Sequence, residues 1–391
     1  MIMNICGDFE YDGFYFMKIN KLILKNYRNY KNLDLEFSPN QNIIIGNNAQ
    51  GKTNILEAIY YLAITKSFLC NNEKNVINNE SNSCSISGNI VTNEFNKKLS
   101  ITLGDNDKIL KINRKKITRH YEYLGFFKVV IFTPDNVRLL KDSPSNRRKF
   151  FNIELCQLYS KYLNVLNDYN ALLKQRNEYL KVIKNNNKRN DIYLDVLNNK
   201  FVEDMLVITK YRSNFIDMLN KYVDDIYYSI SGDCGLKLIY LPVVESFDKD
   251  SSFDDTINKI NSIIDKEINY GISLYGPHKD DFSFYLNDID LSAYGSQGQI
   301  KMAILSLRIA ELFVFKDICG ESPVLLLDDI FSELDIYKRN KLINYLNFDV
   351  QSIITTTDLN DIDESFVKKA RIFTVSGGNV TLSNLEGEVR K

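Results

Sequence analysis

Tryptophan is absent from this 391-residue chain, and histidine occurs only at His120 and His278. Two imidazoles exclude a histidine-rich metal centre. Cys6, Cys70, Cys84, Cys156, Cys234 and Cys319 are scattered with no C-x-x-C pair. That spacing builds neither a disulfide framework nor a zinc site, and it reads as the reduced thiols of a cytosolic protein. No apolar run is long enough to span a bilayer. Residues 1–16 carry Asp8, Glu10 and Asp12 and no basic stretch, which excludes a signal peptide. They read as an upstream extension ahead of the patterned segment that starts at Met17. The 49 basic and 50 acidic side chains leave a net charge of −1. A global nucleic-acid signature is therefore missing, and any such surface must be local. The rest is ordinary globular composition, 44% hydrophobic and 25% charged, long enough for two or three domains.

One stretch organises the chain. Gly46-Asn47-Asn48-Ala49-Gln50-Gly51-Lys52-Thr53 fits the phosphate-loop pattern G-x-x-x-x-G-K-[ST]. The apolar run Asn42–Ile45 before it reads as a buried strand, and Asn54–Ala63 after it has helical spacing. In such a unit, backbone N–H groups and a helix N-terminus surround the phosphates. Lys52 would reach the β- and γ-phosphates of a nucleoside triphosphate, and the Thr53 hydroxyl would ligate Mg²⁺. Arg28 lies in Asn26-Tyr27-Arg28-Asn29-Tyr30, between two expected strands. It is either a further phosphate ligand or a surface arginine in a hairpin.

Val324-Leu325-Leu326-Leu327-Asp328-Asp329 is an apolar strand ending in two carboxylates. Asp328 suits Mg²⁺, held directly or through water. Asp329 would orient or deprotonate an attacking water. Related ATPases usually carry Glu there, and the shorter side chain points to slow hydrolysis. Ser296-Gln297-Gly298-Gln299 opens an expected helix, Ile300–Phe315, and a serine and glycine at a helix start suit an anion. Ser332-Glu333-Leu334-Asp335 follows the carboxylates. Ser352–Thr357 is a strand ending without the histidine that such ATPases often place there, so a threonine would have to sense the γ-phosphate.

Short strand patterns recur at Lys18–Leu24, Lys31–Phe37, Ser85–Val91, Leu99–Leu103 and Ile109–Ile112, the last turning through Asn113-Arg114-Lys115-Lys116 into Ile117. From Ser145 to Lys184 and from Asp191 to Ile230 the spacing is helical, with a polar turn between. Strand patterns return at Leu236–Tyr240 and Phe282–Leu286, with a helix at Asp254–Ile268. The expected organisation is an extension (1–16), an N-terminal ATPase lobe with the phosphate loop (17–141), a helical insertion (142–234) and a C-terminal lobe (235–391). Gly276-Pro277-His278 reads as a turn after a strand. His278 would either touch the nucleotide and transmit its state, or make a structural hydrogen bond.

Taken in order, Tyr27–Tyr30, Gly46–Ala58, Phe132–Asp135, Ser143–Arg148, Gly276–Asp281, Ser296–Gln299 and Leu327–Asp329 resemble the RecF family of bacterial DNA-repair ATPases, relatives of the SMC and Rad50 proteins. The resemblance runs from Met17 to about Gly378. Lys279 stands where Arg is commoner, and residues 1–16 have no expected counterpart. The resemblance implies an α/β P-loop ABC-type ATPase head, with a mixed sheet, flanking helices, an antiparallel β subdomain and an inserted helical domain. It implies ATP and Mg²⁺ as ligands and an ATP-dependent homodimer. In that dimer Ser296 and Gly298, as the signature motif, cap the γ-phosphate held by the other copy. It further implies sequence-independent binding to single-stranded or gapped DNA, action with RecO and RecR to load recombinase at gaps, and support of the SOS response.

Basic clusters at Lys111–Arg119 (with Lys115 and Lys116), Arg147-Arg148-Lys149 and Lys181–Arg189 are the candidate DNA contacts. Each also reads as a solvated charged face. Phosphate contacts of this kind give sequence-independent affinity that salt weakens. Two rival readings are the ATPase subunit of a membrane transporter, which DNA-stimulated hydrolysis would argue against, and a non-hydrolysing nucleotide-gated DNA scaffold, which Asp329 makes plausible.

Overall fold

The computed structural model describes residues 16–383, apart from 105–106, 187–190, 246, 249–250, 347–348 and 361. The chain opens with the hairpin β1 (Lys18–Tyr27) and β2 (Tyr30–Glu36), then β3 (Gln41–Ile45) and α1 (Lys52–Ile64). Next come β4 (Cys84–Val91), β5 (Asn96–Leu103), β6 (Lys108–Ile112), β7 (Lys115–Ile117) and β8 (Val129–Phe132). Helices α2 (Pro144–Leu158), α3 (Ser160–Asn186), α4 (Asp191–Asn220) and α5 (Val223–Ser231) follow. β9 (Leu236–Leu241), α6 (Ser252–Tyr270), β10 (Asp281–Leu286), β11 (Ile289–Asp290), α7 (Leu291–Tyr294) and α8 (Gln297–Cys319) lead to β12 (Val324–Asp328). The chain closes through α9 (Ile336–Leu346), β13 (Ser352–Thr356), α10 (Glu364–Val367), β14 (Arg371–Ser376) and β15 (Asn379–Leu382).

Three sheets form. The central one has the order β15-β14-β3-β13-β12-β8, parallel except for β15. Its inner strands are continuous apolar runs because both faces are covered. The second, β2-β1-β4-β5-β6-β7, is antiparallel, and its β2 alternates buried and exposed residues from Leu33 to Glu36. Ile55, Leu56, Ala58, Ile59, Tyr61 and Leu62 of α1 are all fully buried. Such a helix, apolar on every face, needs cover on all sides. It finds this between the antiparallel and central sheets, in one core with Ile19, Leu22, Ile86, Ile90, Ile101 and Ile353. A larger core joins the opposite face of the central sheet to α2, α4, α5, α8 and the third sheet, β11-β10-β9.

The helical stretch is broken where the sequence pattern ran on. Tyr159 is extended, so α2 stops and α3 starts afresh. α3 and α4, 27 and 30 residues long, span about 40 and 45 Å. They pair with each other and with α6, which arises in the segment assigned to the C-terminal lobe. Leu180, Ile183, Leu194 and Ile264 form their small distal core, and Arg176 meets Glu267 at 2.6 Å with both side chains buried.

Two sequence expectations are corrected. The β6–β7 turn is Asn113-Arg114 alone, with φ of 47° and 73°, and Lys115 and Lys116 lie within β7. The Gly276-Pro277-His278 turn follows helix α6 and precedes β10, rather than following a strand. Residues 1–15 of the expected extension lie outside the described residues; Phe16 is buried and bridges Ser322. Among the described residues no helix is long and apolar enough to cross a membrane.

Candidate functional site

The phosphate-loop pattern sits where its residue types require. β3 ends at Ile45, and Gly46 passes so close to β14 that a Cβ would lie 2.4 Å from the Val375 carbonyl. Gly51, at φ 112°, caps α1, and a Cβ there would lie 2.5 Å from Asn29. A side chain at either position would displace the loop. Lys52 is the first residue of α1, and its ammonium donates to the Gly46 and Asn47 carbonyls, the latter at 3.0 Å. Burial pulls its pKa down, while Asp329 and Asp328 oppose that shift. Lys52, Asp328 and Asp329 thus share one electrostatic environment.

Parallel pairing of β12 with β13, and of β13 with β3, sets the end of β12 beside the loop that follows β3. The Thr53 hydroxyl donates to Asp328 at 2.9 Å. These are the two residues expected to hold Mg²⁺, brought together from 275 positions apart. Burial raises the Asp328 pKa, whereas the hydroxyls of Thr355 and Thr53 pull it back. Thr355 was not singled out by its position in sequence. Its hydroxyl donates to Asp328 at 2.7 Å and accepts from the Asp329 N–H at 3.0 Å. It therefore holds the Asp328 carboxylate and the Asp329 backbone, with Asp329 at φ 48°.

Asn29 and Tyr30 are further residues that the sequence reading left without a role. Asn29 donates to the Gln50 carbonyl and accepts from Asn54, and the Tyr30 hydroxyl donates to the Gly51 carbonyl at 3.0 Å. Gln50 in turn accepts from the Gly377 N–H. The β1–β2 hairpin and the β14–β15 turn thus hold the loop from two sides. Arg28 is placed in a bidentate pair with the fully buried Glu57 of α1 and donates to the Asn75 carbonyl at 2.8 Å. That pair raises its pKa. The only sequence signal for it was a buried-face glutamate in an apolar helix.

One cavity borders the loop and a second borders Asp328. The first, about 870 Å³, runs from Gly46, Asn47 and Gln50 past Thr357 and Asp358 to β14. The other, about 580 Å³, includes Asp328, Ser67, Thr133 and Arg308. The first has the volume of a small-ligand site and gives the loop room for a nucleoside.

Ser296 caps α8 by accepting from the Gln299 N–H at 3.2 Å, and Gln299 returns the bond to the Ser296 N–H. Ser296, Gln297 and Gly298 are all exposed. A Cβ on Gly298 would meet nothing within 4 Å. Among the described residues no hydrogen bond joins this segment to the phosphate loop. Near it in sequence, or following the carboxylates, Tyr294, Ile336 and Tyr337 are 79%, 72% and 61% exposed.

The basic candidates divide. Arg147 pairs bidentately with Asp281 at 2.7 Å and donates to the Leu140 and Asp142 carbonyls. It ties the start of α2 to β10. Arg148 is half-buried and donates to the Asp280 carbonyl. Lys149, Lys115 and Lys116 are exposed. Lys188 and Arg189 of the third cluster lie outside the described residues. His278 is held on both nitrogens, by the Tyr169 hydroxyl at Nδ1 and the Ser273 carbonyl at Nε2. The carbonyl can only accept, so Nε2 carries the proton and Nδ1 accepts from Tyr169. Burial lowers the His278 pKa to about 4.

Residues 18–381 match the family model for the RecF/RecN/SMC N-terminal domain. The chain is similar to the DNA replication and repair protein RecF of Listeria welshimeri, 38% identical over 370 residues, covering 94% of this chain and all of the relative. It is 37% identical over 369 residues to the protein of that name from Staphylococcus haemolyticus, covering 93% of this chain and all of that one. Among solved structures, that of the recombination mediator protein RecF with ATP, of the RecFOR pathway, superposes with a TM-score of 0.88 at 31% identity, covering 96% of this chain and all of the other.

Proposed function

The chain belongs to the RecF family of DNA replication and repair proteins, among the RecF/RecN/SMC ATPases, and from that premise we propose that it is a weak ATPase that dimerises around ATP and binds DNA. The observation that carries this reading is the Thr53–Asp328 contact at 2.9 Å beside Lys52. It sets two oxygen donors of the kind Mg²⁺ prefers next to a phosphate-binding cation.

In this reading the N–H groups of Gly46–Thr53 hold the phosphates, and Lys52 leaves its loop carbonyls for the β- and γ-phosphates. Thr53 and Asp328 hold Mg²⁺, which when bound neutralises phosphate charge. Asp329 orients the attacking water. Ser296 and Gly298 present the exposed start of α8 to ATP held by a second copy, and the exposed Tyr294, Ile336 and Tyr337 supply apolar contact area. Lys115, Lys116 and Lys149, with the half-buried Arg148, give DNA contacts without sequence preference, while Arg147, 11% exposed and paired with Asp281, fixes α2 to β10. By family membership, the chain acts in the cytoplasm with RecO and RecR, loading recombinase at single-strand gaps and supporting the SOS response.

Lys52→Met tests the reading directly. A titration with a fluorescent ATP analogue should show nucleotide affinity collapse; normal affinity would sink the assignment. The short Asp329 side chain favours a second reading, a nucleotide-gated scaffold that does not turn over. Single-turnover hydrolysis by the wild type separates the two.

A further inference from the structure

A cavity of about 410 Å³ lies away from the phosphate loop, between the end of α1, helices α2 and α3 and the 276–280 turn. Its wall is apolar, formed by Ile64, Ile153, Cys156, Leu163 and Leu166. Its charged lining is entirely cationic: Lys66, Arg148, Lys149 and Arg212, with no carboxylate among the lining residues. Arg212 is neutralised from beneath by Asp280 at 2.6 Å. The other three make no ion pair among the described residues. Arg148 makes one hydrogen bond, to a neutral carbonyl. Burial, and after it the nearby Arg212, pull its pKa down. Lys66 reaches close enough to the wall to oppose the burial that pushes the Cys156 thiol up to about 12.

Arg148 is half-buried and repelled by Arg212, while Lys66 and Lys149 stand exposed beside the same apolar wall; an anion between the three would offset the cost of the Arg148 charge. The volume falls within the range of small-ligand sites. The exposed amides of Asn167 and Asn170 also line it and add hydrogen-bonding groups.

We propose that this cavity is a second phosphate site, separate from Gly46–Thr53, that takes a nucleotide 5′-phosphate: the anion between Lys66, Arg148 and Lys149, the sugar and base along the apolar wall. The phosphate comes from the end of a DNA strand or from a free mononucleotide. Only the first source rests on the DNA-binding reading.

The test uses the full chain with its phosphate loop saturated by Mg²⁺ and a non-hydrolysable ATP analogue. Two probes are titrated: a 3′-labelled single-stranded oligonucleotide with a 5′-phosphate or 5′-hydroxyl, and thymidine monophosphate against thymidine. The phosphorylated member of at least one pair should bind about tenfold tighter, the effect of one charge-assisted contact. The responding pair identifies the source. Lys66→Gln and Arg148→Gln should each abolish the preference, and Lys66→Gln, remote from the phosphate loop, should leave ATP-analogue affinity unchanged. No phosphate preference in either pair, or a preference that survives Lys66→Gln, overturns the proposal. Failure of the DNA reading looks different, as loss of all oligonucleotide binding, 5′-hydroxyl included.

Discussion

Thr355 is the residue through which the two acidic groups of the site are coupled. One hydroxyl donates to Asp328 and accepts from the Asp329 N–H. Thr355→Val keeps the shape and removes both bonds. The Asp329 N–H keeps its bond to the Thr355 carbonyl at 3.2 Å, and a lost hydrogen bond with its partner still satisfied costs about 0.5–1.5 kcal/mol, so thermal unfolding should shift only slightly. Mg²⁺-dependent hydrolysis should fall much further, because Asp328 loses a bond that holds it ionised. Wild-type turnover in this variant would assign the orientation of Asp328 to Thr53 alone. His278 gives a second prediction at this scale. Its pKa falls from 6.5 to about 4 on folding, through burial. Between these values the unfolded chain binds the proton and the folded chain does not, so stability is full above pH 6.5 and declines as pH drops toward 4. The loss amounts to about 3 kcal/mol. Urea unfolding at pH 7 and pH 4.5 should show this component in the wild type and lack it in His278→Gln.

At the scale of elements, two arginines act as joints. Arg28 fastens the β1–β2 hairpin to α1 through Glu57, and the same hairpin holds the phosphate loop through Asn29 and Tyr30. Arg28 is part-buried and keeps its bond to the Asn75 carbonyl, so removing its carboxylate partner costs about 1–3 kcal/mol. Glu57→Ala should therefore lower thermal stability by about that amount and weaken nucleotide binding only indirectly. Arg147 joins α2 to β10 in the same way through Asp281, so its reversal would confound folding with DNA binding. Lys115→Gln with Lys116→Gln is the cleaner probe, since both side chains lie exposed on β7. If β7 lies against DNA, affinity for unrelated sequences should fall equally, and the salt slope should decrease by about 0.9 for each phosphate no longer neutralised. An unchanged slope would return that strand to a solvated face.

For the whole molecule, the phosphate loop and the signature helix belong to one chain, yet no described hydrogen bond joins them, and the start of α8 is exposed. That arrangement supports the proposed composite site made by two copies. Ser296→Arg should bind ATP as a monomer but neither dimerise nor hydrolyse, whereas Lys52→Met fails at nucleotide binding. Mixing the two variants pairs an intact loop with an intact signature at one interface, and some ATPase activity should return. Sedimentation with ATP provides the second readout. Full activity and ATP-dependent dimerisation by Ser296→Arg alone would rule the composite site out.

The sequence by itself determined the strand–loop–helix at 41–64, the apolar strand ending at Asp328 and the capped start of α8. Each is a local pattern in which hydrophobic period, glycine and capping residue dictate the backbone within a few positions. The motifs in order were also enough to indicate the family. Tertiary structure decided what the charged side chains do. Arg28 meets Glu57, Arg147 meets Asp281, and Thr355 meets Asp328. An arginine that pairs with a carboxylate and one that faces a phosphate look alike in sequence. Their partners are fixed only when distant strands pack, because burial makes an unpaired charge costly and selects the nearest opposite one.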